Sequence, residues 1–355
     1  MDLGDSFDAI RVYVGWYHTC AVSNLGESKC FGRNNNGQLG IGSTAQRGDG
    51  GNEMGNNLVA IDWGTDFEVE QMCLGFYHTC ALSTNAEMKC IGNNGYGQLG
   101  YGYTTNLGDS TSELGDALPV IDLGDDFDTV QIQCGSYFTC ARSSNGEMKC
   151  WGEAENGQLG QGDTFRRGDE SGEMGNSLPA INLGSGFEAA TMTAGTDFVC
   201  ALSTSGDIKC FGENGNGQLG YGDTSDRGKT PNTIGENVPT VDLGTDFVVK
   251  DVAAGHLFTC ATSNNATMKC WVRTESPSPS LTVHNMYTLS LSLSLRLMSV
   301  YPLNCARCAL SPWNRATMGT ASWGRRARLS AATAPTKWAI TSMRSSSVRG
   351  SLPRG

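Results

Sequence analysis

Short apolar stretches alternate with clusters of Gly, Asn, Asp and Ser along residues 1–271. No stretch of eleven or more residues there carries apolar residues at helical spacing, which argues against helical repeats. The clearest unit is 78–92, HTCALSTNAEMKCIG, whose two strand-like arms flank a turn near Asn85 and Ala86. The equivalent turn further along is Asn145-Gly146, a pair typical of tight hairpins. This pattern predicts an all-β protein built from hairpins.

The hairpin pattern returns every 60 residues. The string Gly-Gln-Leu-Gly begins at Gly37, Gly97, Gly157 and Gly217. A fixed period of this length indicates one supersecondary unit, copied and stacked so that neighbours bury each other's apolar faces. Glycine, 47 of 355 residues, is about twice as frequent as usual, which fits many tight turns. The predicted repeats are about 2–61, 62–121, 122–181 and 182–241, with a partial fifth over 242–271 and a non-repeat tail over 272–355.

Ten of the 14 cysteines follow the same period, as pairs ten residues apart. Centring the hairpin turn near residue 85 places Cys80 opposite Cys90, and opposed residues lie close to disulfide distance. The same register predicts five disulfides, Cys20–Cys30, Cys80–Cys90, Cys140–Cys150, Cys200–Cys210 and Cys260–Cys270. Zinc coordination and free thiols are the alternatives, although nine intervening residues are many for paired zinc ligands.

Four further cysteines lie outside this pattern: Cys73, Cys134, Cys305 and Cys308. Cys73 and Cys134 occupy neighbouring positions in adjacent repeats. An inter-repeat disulfide and two buried thiols are both compatible with that placement.

The motifs G-x-x-H-T-C-A-L and M-K-C-x-G-x-N-x-x-G-Q-L-G-x-G-D resemble the regulator of chromosome condensation repeat family. The resemblance covers residues 2–271 and implies a β-propeller of four-stranded blades, classically seven of them. Because 271 residues cannot supply seven blades of about 60 residues, an incomplete or open propeller is expected. The cysteine pair in each hairpin departs from the family's intracellular members and resembles a branch associated with secreted or surface proteins.

Charge divides the chain sharply. The tail holds eleven basic residues and one acid, so residues 1–271 carry a net charge of −21 within the chain's −11. An acidic body of this kind repels phosphate, which argues against nucleic acid or anionic membrane as its partner. No segment is long and apolar enough to span a bilayer. Paired cysteines favour an extracellular or secretory-lumen location, with the cytoplasm as the alternative. The start, MDLGDSFDAIRV, is not a signal peptide, so we expect a truncated N-terminus.

The tail breaks the repeat at Val272, where earlier copies have Gly. Residues 289–295 alternate Leu and Ser, as a CT-dinucleotide tract would encode. Shifting the reading frame of 335–342 permits Asn-Glu-Met-Gly-Asn-Asn-Leu, which matches 52–58. A retained intron followed by a frame-shifted repeat accounts for both observations. A basic, disordered tail is the alternative, and neither predicts a packed blade.

No catalytic set emerges from the repeats. His18 and His78 share a position that carries Phe138 in the next copy, which favours a packed ring over a general base. The Gly-rich turns lack the Lys and following helix of a phosphate loop. The acidic loops 49–53 and 169–173 do not match the spacing of a calcium loop. We therefore predict no enzyme activity, no cofactor and no metal.

Two exposed features are candidates for modification and binding. Asn265-Ala266-Thr267 is a glycosylation sequence on a hairpin turn. The stretch after Gly-Gln-Leu-Gly varies most between copies, and its richest version is Phe165-Arg166-Arg167. Varied side chains on a constant scaffold are typical of a binding face.

These residues predict a non-catalytic scaffold that binds an unidentified protein, with carbohydrate as the second choice of partner. Arg-Gly-Asp at 47–49 and 167–169 is interpreted as turn chemistry, because other copies do not keep it. The family resemblance implies one alternative function, guanine nucleotide exchange on a small GTPase. That alternative requires a reducing compartment and basic contacts to DNA, which the paired cysteines and the acidic body oppose.

Overall fold

The computed structural model describes residues 1–272 and the backbone of 287–290. All-β structure dominates, as predicted, and five sheets follow one another along the chain. Repeat 1 contains β1 (Ala9–Val14), β2 (His18–Ser23) and β3 (Ser28–Gly32). The later strands are β4 (Val69–Leu74), β5 (His78–Ser83), β6 (Met88–Gly92), β7 (Thr129–Cys134), β8 (Phe138–Ser143), β9 (Met148–Gly152), β10 (Ala189–Ala194), β11 (Phe198–Ser203), β12 (Ile208–Gly212), β13 (Val249–Ala254), β14 (Thr259–Ser263), β15 (Thr267–Trp271) and β16 (Tyr287–Ser290).

Each sheet is antiparallel, and its strands pair in the order in which they follow one another along the chain. In the first four repeats the predicted fourth strand is reduced to one isolated bridge, such as that between Gly32 and Arg47. The reason lies in the turn that directly follows the bridge. Gly48 has a φ of +92°, and the Glu53 carboxylate accepts hydrogen bonds from the N–H groups of 48–50, so these residues do not continue as a strand beside β3. In the fifth sheet β16 pairs with β15 and forms a fourth strand.

Short 3-10 turns complete the regular structure of the described residues. They span Gly55–Asn57, Thr111–Glu113, Gly115–Ala117, Gly175–Ser177, Pro231–Thr233 and Gly235–Asn237. None of the described helices approaches the length and apolar character that crossing a bilayer requires.

Successive repeats pack through their first strands, β1 on β4, β4 on β7, β7 on β10 and β10 on β13. Leu39, Leu99 and Leu219, the leucines of Gly-Gln-Leu-Gly, are fully buried in this stack. Asn34 holds the first of these turns, because its Oδ1 accepts from the Leu39 N–H at 2.8 Å and its Nδ2 donates to the turn carbonyls. The result is an incomplete propeller, as predicted.

A lysine in the third strand anchors every repeat. Lys89 donates to the Trp63 carbonyl at 2.5 Å, and its Nζ lies 5.4 Å from the centre of the Phe67 ring. The other four repeats place Lys29, Lys149, Lys209 and Lys269 in the same way over Phe7, Phe127, Phe187 and Phe247. This contact explains why phenylalanine recurs at that position, and a cation over an aromatic face is an attractive pairing.

The structure contains all five hairpin disulfides in the expected register, each joining directly opposed residues of two strands. A sixth disulfide joins Cys73 of β4 to Cys134 of β7. Of the two interpretations of this pair, the inter-repeat disulfide is therefore the one that the structure adopts. Within the tail predicted over 272–355, the structure describes Val272 and the backbone of β16, which adds one strand to the fifth sheet. The sequences behind the frame-shift hypothesis, together with Cys305 and Cys308, lie outside the described residues.

Candidate functional site

One end of every hairpin contributes to a common surface. His18, the first residue of β2, pairs with Gly32, the last residue of β3, so the loops before β2 and after β3 emerge at the same end. We call this surface the loop face. It is formed by residues 15–17 with their equivalents 60, 120, 180 and 240 positions later, and by residues 33–38 with their equivalents 60, 120 and 180 positions later. Backbone bonds join adjacent loops, as from the Ser136 N–H to the Thr196 carbonyl at 2.8 Å. The loop backbones are therefore fixed relative to one another.

Aromatic side chains cover the loop face in the first three repeats. The aromatic row consists of Trp16, Tyr17, Phe76, Tyr77 and Tyr137. Trp16 and Tyr17 are 40% and 43% exposed, which is high for side chains of this size. Trp16 packs on Phe76 at 4.5 Å between ring centres and also meets His256 of the fifth repeat at 4.3 Å. The row is thus a continuous, partly exposed surface that rests on the scaffold beneath it.

A groove of about 570 Å³ runs beside the aromatic row. Its lining consists of Arg33, Asn35, Asn36, Tyr77, Asn93, Gly95, Tyr96 and Tyr137. The Arg33 guanidinium lies 5.3 Å and 5.1 Å from the ring centres of Tyr17 and Tyr77, which stack 5.2 Å apart. The groove is open to solvent and exposes more polar than apolar surface, so it offers hydrogen-bonding groups and ring faces to a partner, not an enclosed apolar cavity.

Carboxylates occupy the loop face in the third and fourth repeats. Burial is the main cause that raises the pKa of Glu153 to about 7, with a further contribution from the negative charge of Asp197. Burial also raises the pKa of Asp197 and of Glu213, and a hydrogen bond from Ser136 partly offsets the rise at Asp197. These three groups therefore titrate nearer to neutral pH than ordinary carboxyls do.

The histidines that begin the second strand in the first two repeats, His18 and His78, are buried inside the scaffold. Burial lowers the pKa of both His18 and His78 to about 3, so both rings are neutral near pH 7. The Nε2 atom of His18 lies 2.7 Å from the Thr79 hydroxyl, which itself donates to the Gln38 carbonyl at 2.8 Å. The hydroxyl must then accept from the ring N–H. These contacts agree with the packed-ring interpretation from the sequence.

The structure separates the three residues of the predicted binding patch. Phe165 is 71% exposed, while the Arg166 guanidinium lies 4.5 Å from the centre of the Tyr96 ring and so borders the groove. Arg167 is held within its own loop by an ion pair with Asp163 at 2.8 Å. Two of the three side chains therefore remain available to a partner.

The other sequence candidates have structural partners in their own turns. The Glu53 carboxylate accepts from the backbone N–H groups of Gly48, Asp49 and Gly50, at 2.8 to 3.1 Å, and this lowers its pKa. Glu173 accepts from the equivalent N–H groups of 168–170. These bonds show how the Arg-Gly-Asp sequences and the acidic loops form turns.

Asn265 is exposed on the turn between β14 and β15. Its Oδ1 accepts from the hydroxyls of Ser263 and Thr267, so the glycosylation sequence lies on a defined turn. The side chain faces solvent, where a glycan has room.

One cluster of sulfur atoms has the closeness of a metal site. The Sγ atoms of Cys73, Cys80 and Cys134 lie within 4.8 Å of one another. All three belong to disulfides, so none offers a thiolate to a metal.

Sequence reasoning missed the aromatic row and the groove. The signal was present at 16–17, 76–77 and 136–137, where Trp-Tyr, Phe-Tyr and Ser-Tyr precede β2 and its equivalents. The two positions before each second strand vary between repeats, as the stretch after Gly-Gln-Leu-Gly does. Placing these residues on one face required the stacking of the repeats.

Two family models of the regulator of chromosome condensation (RCC1) repeat match the chain. One matches residues 9–38, 69–98, 129–158 and 190–218, and the other matches residues 205–262. Among curated proteins, the chain is 30% identical to the human probable E3 ubiquitin-protein ligase HERC4 over 69% of its own length and 22% of that protein. It is 29% identical to the ultraviolet-B receptor UVR8 of Arabidopsis thaliana, over 70% of its length and 52% of that protein. The chain thus spans from about a fifth to about half of these relatives.

Two solved structures share the fold. Human WBSCR16 matches with a TM-score of 0.60 and 19% identity, over 81% of this chain and 68% of that one. Yeast RCC1, solved with Kap60, matches with a TM-score of 0.50 and 16% identity, over 74% and 70%. These two likenesses show the fold. The repeat models, which match segments from residue 9 to residue 262, show that the chain belongs to the regulator of chromosome condensation repeat family, with a disulfide in each repeat hairpin.

Proposed function

We propose that this protein is a non-catalytic interaction scaffold whose loop face binds a protein partner. The aromatic row carries the proposal. Large aromatic side chains that remain exposed on a rigid support are enriched among the residues that dominate binding energy at protein interfaces. Trp16 and Tyr17 are such residues, and both lie on loops that backbone bonds and disulfides hold in place.

The support beneath the aromatic row favours binding without a large ordering cost. Disulfides close the hairpins, and buried contacts such as that between His18 and Thr79 join one repeat to the next. A preorganised surface loses little conformational entropy on association. Among the structural relatives, yeast RCC1 is seen bound to Kap60, which is consistent with protein binding by this fold.

The six disulfides also support a location. Disulfides persist in oxidising compartments, so we place the protein outside the cell or in the secretory lumen, where Asn265 would be a glycan site. Treatment with a peptide N-glycosidase, followed by mass spectrometry of the secreted protein, tests both points. Conversion of Asn265 to Asp supports them, while unmodified Asn265 together with reduced cysteines contradicts them.

The binding role is tested with the full oxidised chain as bait. Proteins captured by the wild type are compared with those captured by a Trp16→Ala, Phe76→Ala double variant. Val248→Ala is the matched control, because Val248 is 62% exposed and lies at the opposite end of the strands. We expect the double variant to lose the specific partner while the control retains it. A partner held equally by all three proteins would contradict the proposal.

The patch Phe165, Arg166 and Arg167 is proposed as the edge of the same surface, through the contact of Arg166 with Tyr96. Replacing the three by Ala should leave the fold intact and weaken the same partner. Calorimetry on the purified complex measures this, and unchanged affinity would remove the patch from the interface.

Nucleotide exchange is the second candidate function, favoured by the repeat family alone. Release of a fluorescent guanine nucleotide from a panel of purified small GTPases distinguishes it from the scaffold. Acceleration by the reduced chain would favour exchange, while none by either redox form favours the scaffold.

A further inference from the structure

Arg33 is a cation without a carboxylate. Among the described residues no acid forms an ion pair with it, whereas Arg167, Arg227 and Lys229 are each paired with an aspartate of their own loop. Its guanidinium contacts the rings of Tyr17 and Tyr77, which attract the charge but leave its N–H donors available. The guanidinium is thus held over the two rings, and no side-chain hydrogen bond joins it to the part of the chain that the structure describes.

The groove around Arg33 has the composition of a protein-recognition surface. The residues that line it are of only four types, Tyr, Asn, Gly and Arg, and none of them is acidic. The same residue types predominate in antibody loops, where Tyr supplies rigid contact area and Asn supplies adaptable hydrogen bonds. A volume of about 570 Å³ accommodates a few side chains of a partner segment, not a whole helix.

We propose that the groove receives an acidic segment of the protein partner, and that an Asp or Glu carboxylate of this segment pairs with the Arg33 guanidinium. The inference rests on the proposed function and specifies the chemistry of its partner. Guanidinium and carboxylate form two parallel charge-assisted hydrogen bonds, which fix orientation as well as add energy. The two tyrosines restrain the guanidinium before binding, so less entropy is lost when the pair forms.

The carboxylates elsewhere on the loop face add direction. Glu153, Asp197 and Glu213 lie in the third and fourth repeats and outside the groove lining, so in their ionised forms they disfavour an acidic group bound beside them. A body of net charge −21 can still select an acidic segment at the groove, because the lining there holds a cation and no acid.

A random phage-displayed peptide library, selected on the full oxidised chain, supplies the probe. We expect the selected peptides to share an Asp or Glu, and their synthetic forms to bind Arg33→Asn about 10- to 100-fold more weakly than the wild type. Asn is the residue of the second repeat at this position, Asn93, so the fold should tolerate it. Arg33→Lys should give an intermediate loss, because it keeps the charge and loses the fork.

Two controls make the result specific. Lys250→Asn removes one exposed cation of β13 and should leave affinity unchanged. Replacing the peptide's acid by its amide should weaken binding to the wild type and cause no further loss in Arg33→Asn, which is the signature of a direct pair.

Several outcomes would overturn the inference: selected peptides without a shared acid, no selected peptide at all, or equal affinity of Arg33→Asn and the wild type. The proposed function fails separately. If Tyr77→Ala abolishes peptide binding while Arg33→Asn does not, the scaffold stands and the acidic segment is wrong.

Discussion

The two halves of the loop face share a backbone and differ in side chains. The position before β2 is Tyr17, Tyr77 and Tyr137 in the first three repeats and Asp197 in the fourth. The aromatic half offers stacked rings with the Arg33 guanidinium over them, and the acidic half offers carboxylates whose pKa values burial has raised. Because the scaffold below is copied, these differences are the ones that the proposed binding role has to explain.

The junctions beneath the two halves differ in the same way. Between the second and third repeats, the disulfide Cys73–Cys134 crosses from one sheet to the next. Between the fourth and fifth, the equivalent positions are joined by a hydrogen bond from the Ala254 N–H to the Thr193 hydroxyl at 2.9 Å. A covalent bond therefore joins two repeats beneath the aromatic half, and a hydrogen bond joins two repeats beneath the acidic half.

Removing that covalent link should have the largest effect. The disulfide Cys73–Cys134 closes a loop of 61 residues, so Cys73→Ser with Cys134→Ser should cost about 4 kcal/mol in the chain-entropy model. Chemical denaturation under oxidising conditions measures the free energy of unfolding. The matched control is Cys140→Ser with Cys150→Ser, whose shorter loop of 10 predicts about 3 kcal/mol. A double variant at 73 and 134 as stable as the wild type would contradict the difference between the junctions.

Making the aromatic half resemble the acidic half should weaken binding by about 10- to 100-fold. Tyr77→Asp copies the residue of the fourth repeat, removes one ring from Arg33 and places a charge beside the groove. Calorimetry with the partner measures the loss, and circular dichroism checks the fold. The reverse change, Asp197→Tyr, should leave affinity nearly unchanged. If Asp197→Tyr weakens binding more than Tyr77→Asp, the acidic half is the interface.

Lowering the pH should stabilise the fold through Glu153, a carboxyl group of the acidic half. Glu153 has a folded pKa of about 7 against an ordinary value of 4.5, so its protonated form favours the folded state, and its contribution to stability is lost as pH rises from about 4.5 through 7. Glu153→Gln should remove this dependence and raise stability at pH 8 by on the order of 1 kcal/mol, allowing for solvent screening. Denaturation midpoints across this pH range give the slope. An unchanged slope in the variant would show that Glu153 is an ordinary exposed acid.

The weaker junction should give the smallest effect. Thr193→Val removes the hydroxyl that accepts from Ala254 while keeping the shape, and the loss should be about 1 kcal/mol. Thr204→Val, at an exposed position, is the control and should be nearly neutral. A loss at Thr193 as large as that at Cys73 and Cys134 would erase the distinction between the two junctions.

Local patterns predicted the scaffold well because each copy repeats the same short-range signals. The turn at 85–86 alone set the register that pairs Cys80 with Cys90, and the 60-residue period indicated stacked units. The length of the fourth strand was overestimated in the first four repeats, since the chain turns at Gly48, directly after the bridge at Arg47.

The loop face could not be predicted with the same success. Arg33 contacts Tyr77, which lies 44 residues further along the chain. Trp16 contacts His256, which lies 240 residues further along. Such neighbours depend on the angle between repeats, which no local pattern records. For the same reason the sequence left open whether Cys73 and Cys134 are joined.

Hydrogen exchange on the complex with the captured partner tests the central claim most directly, namely that the aromatic half of the loop face is the binding surface. The account predicts slower amide exchange over 15–18, 33–38, 75–78 and 93–98 on binding, with little change over the hairpin turns at 84–86 and 144–146. Protection confined to the fourth and fifth repeats or to the turns, with these loops unchanged, would contradict it.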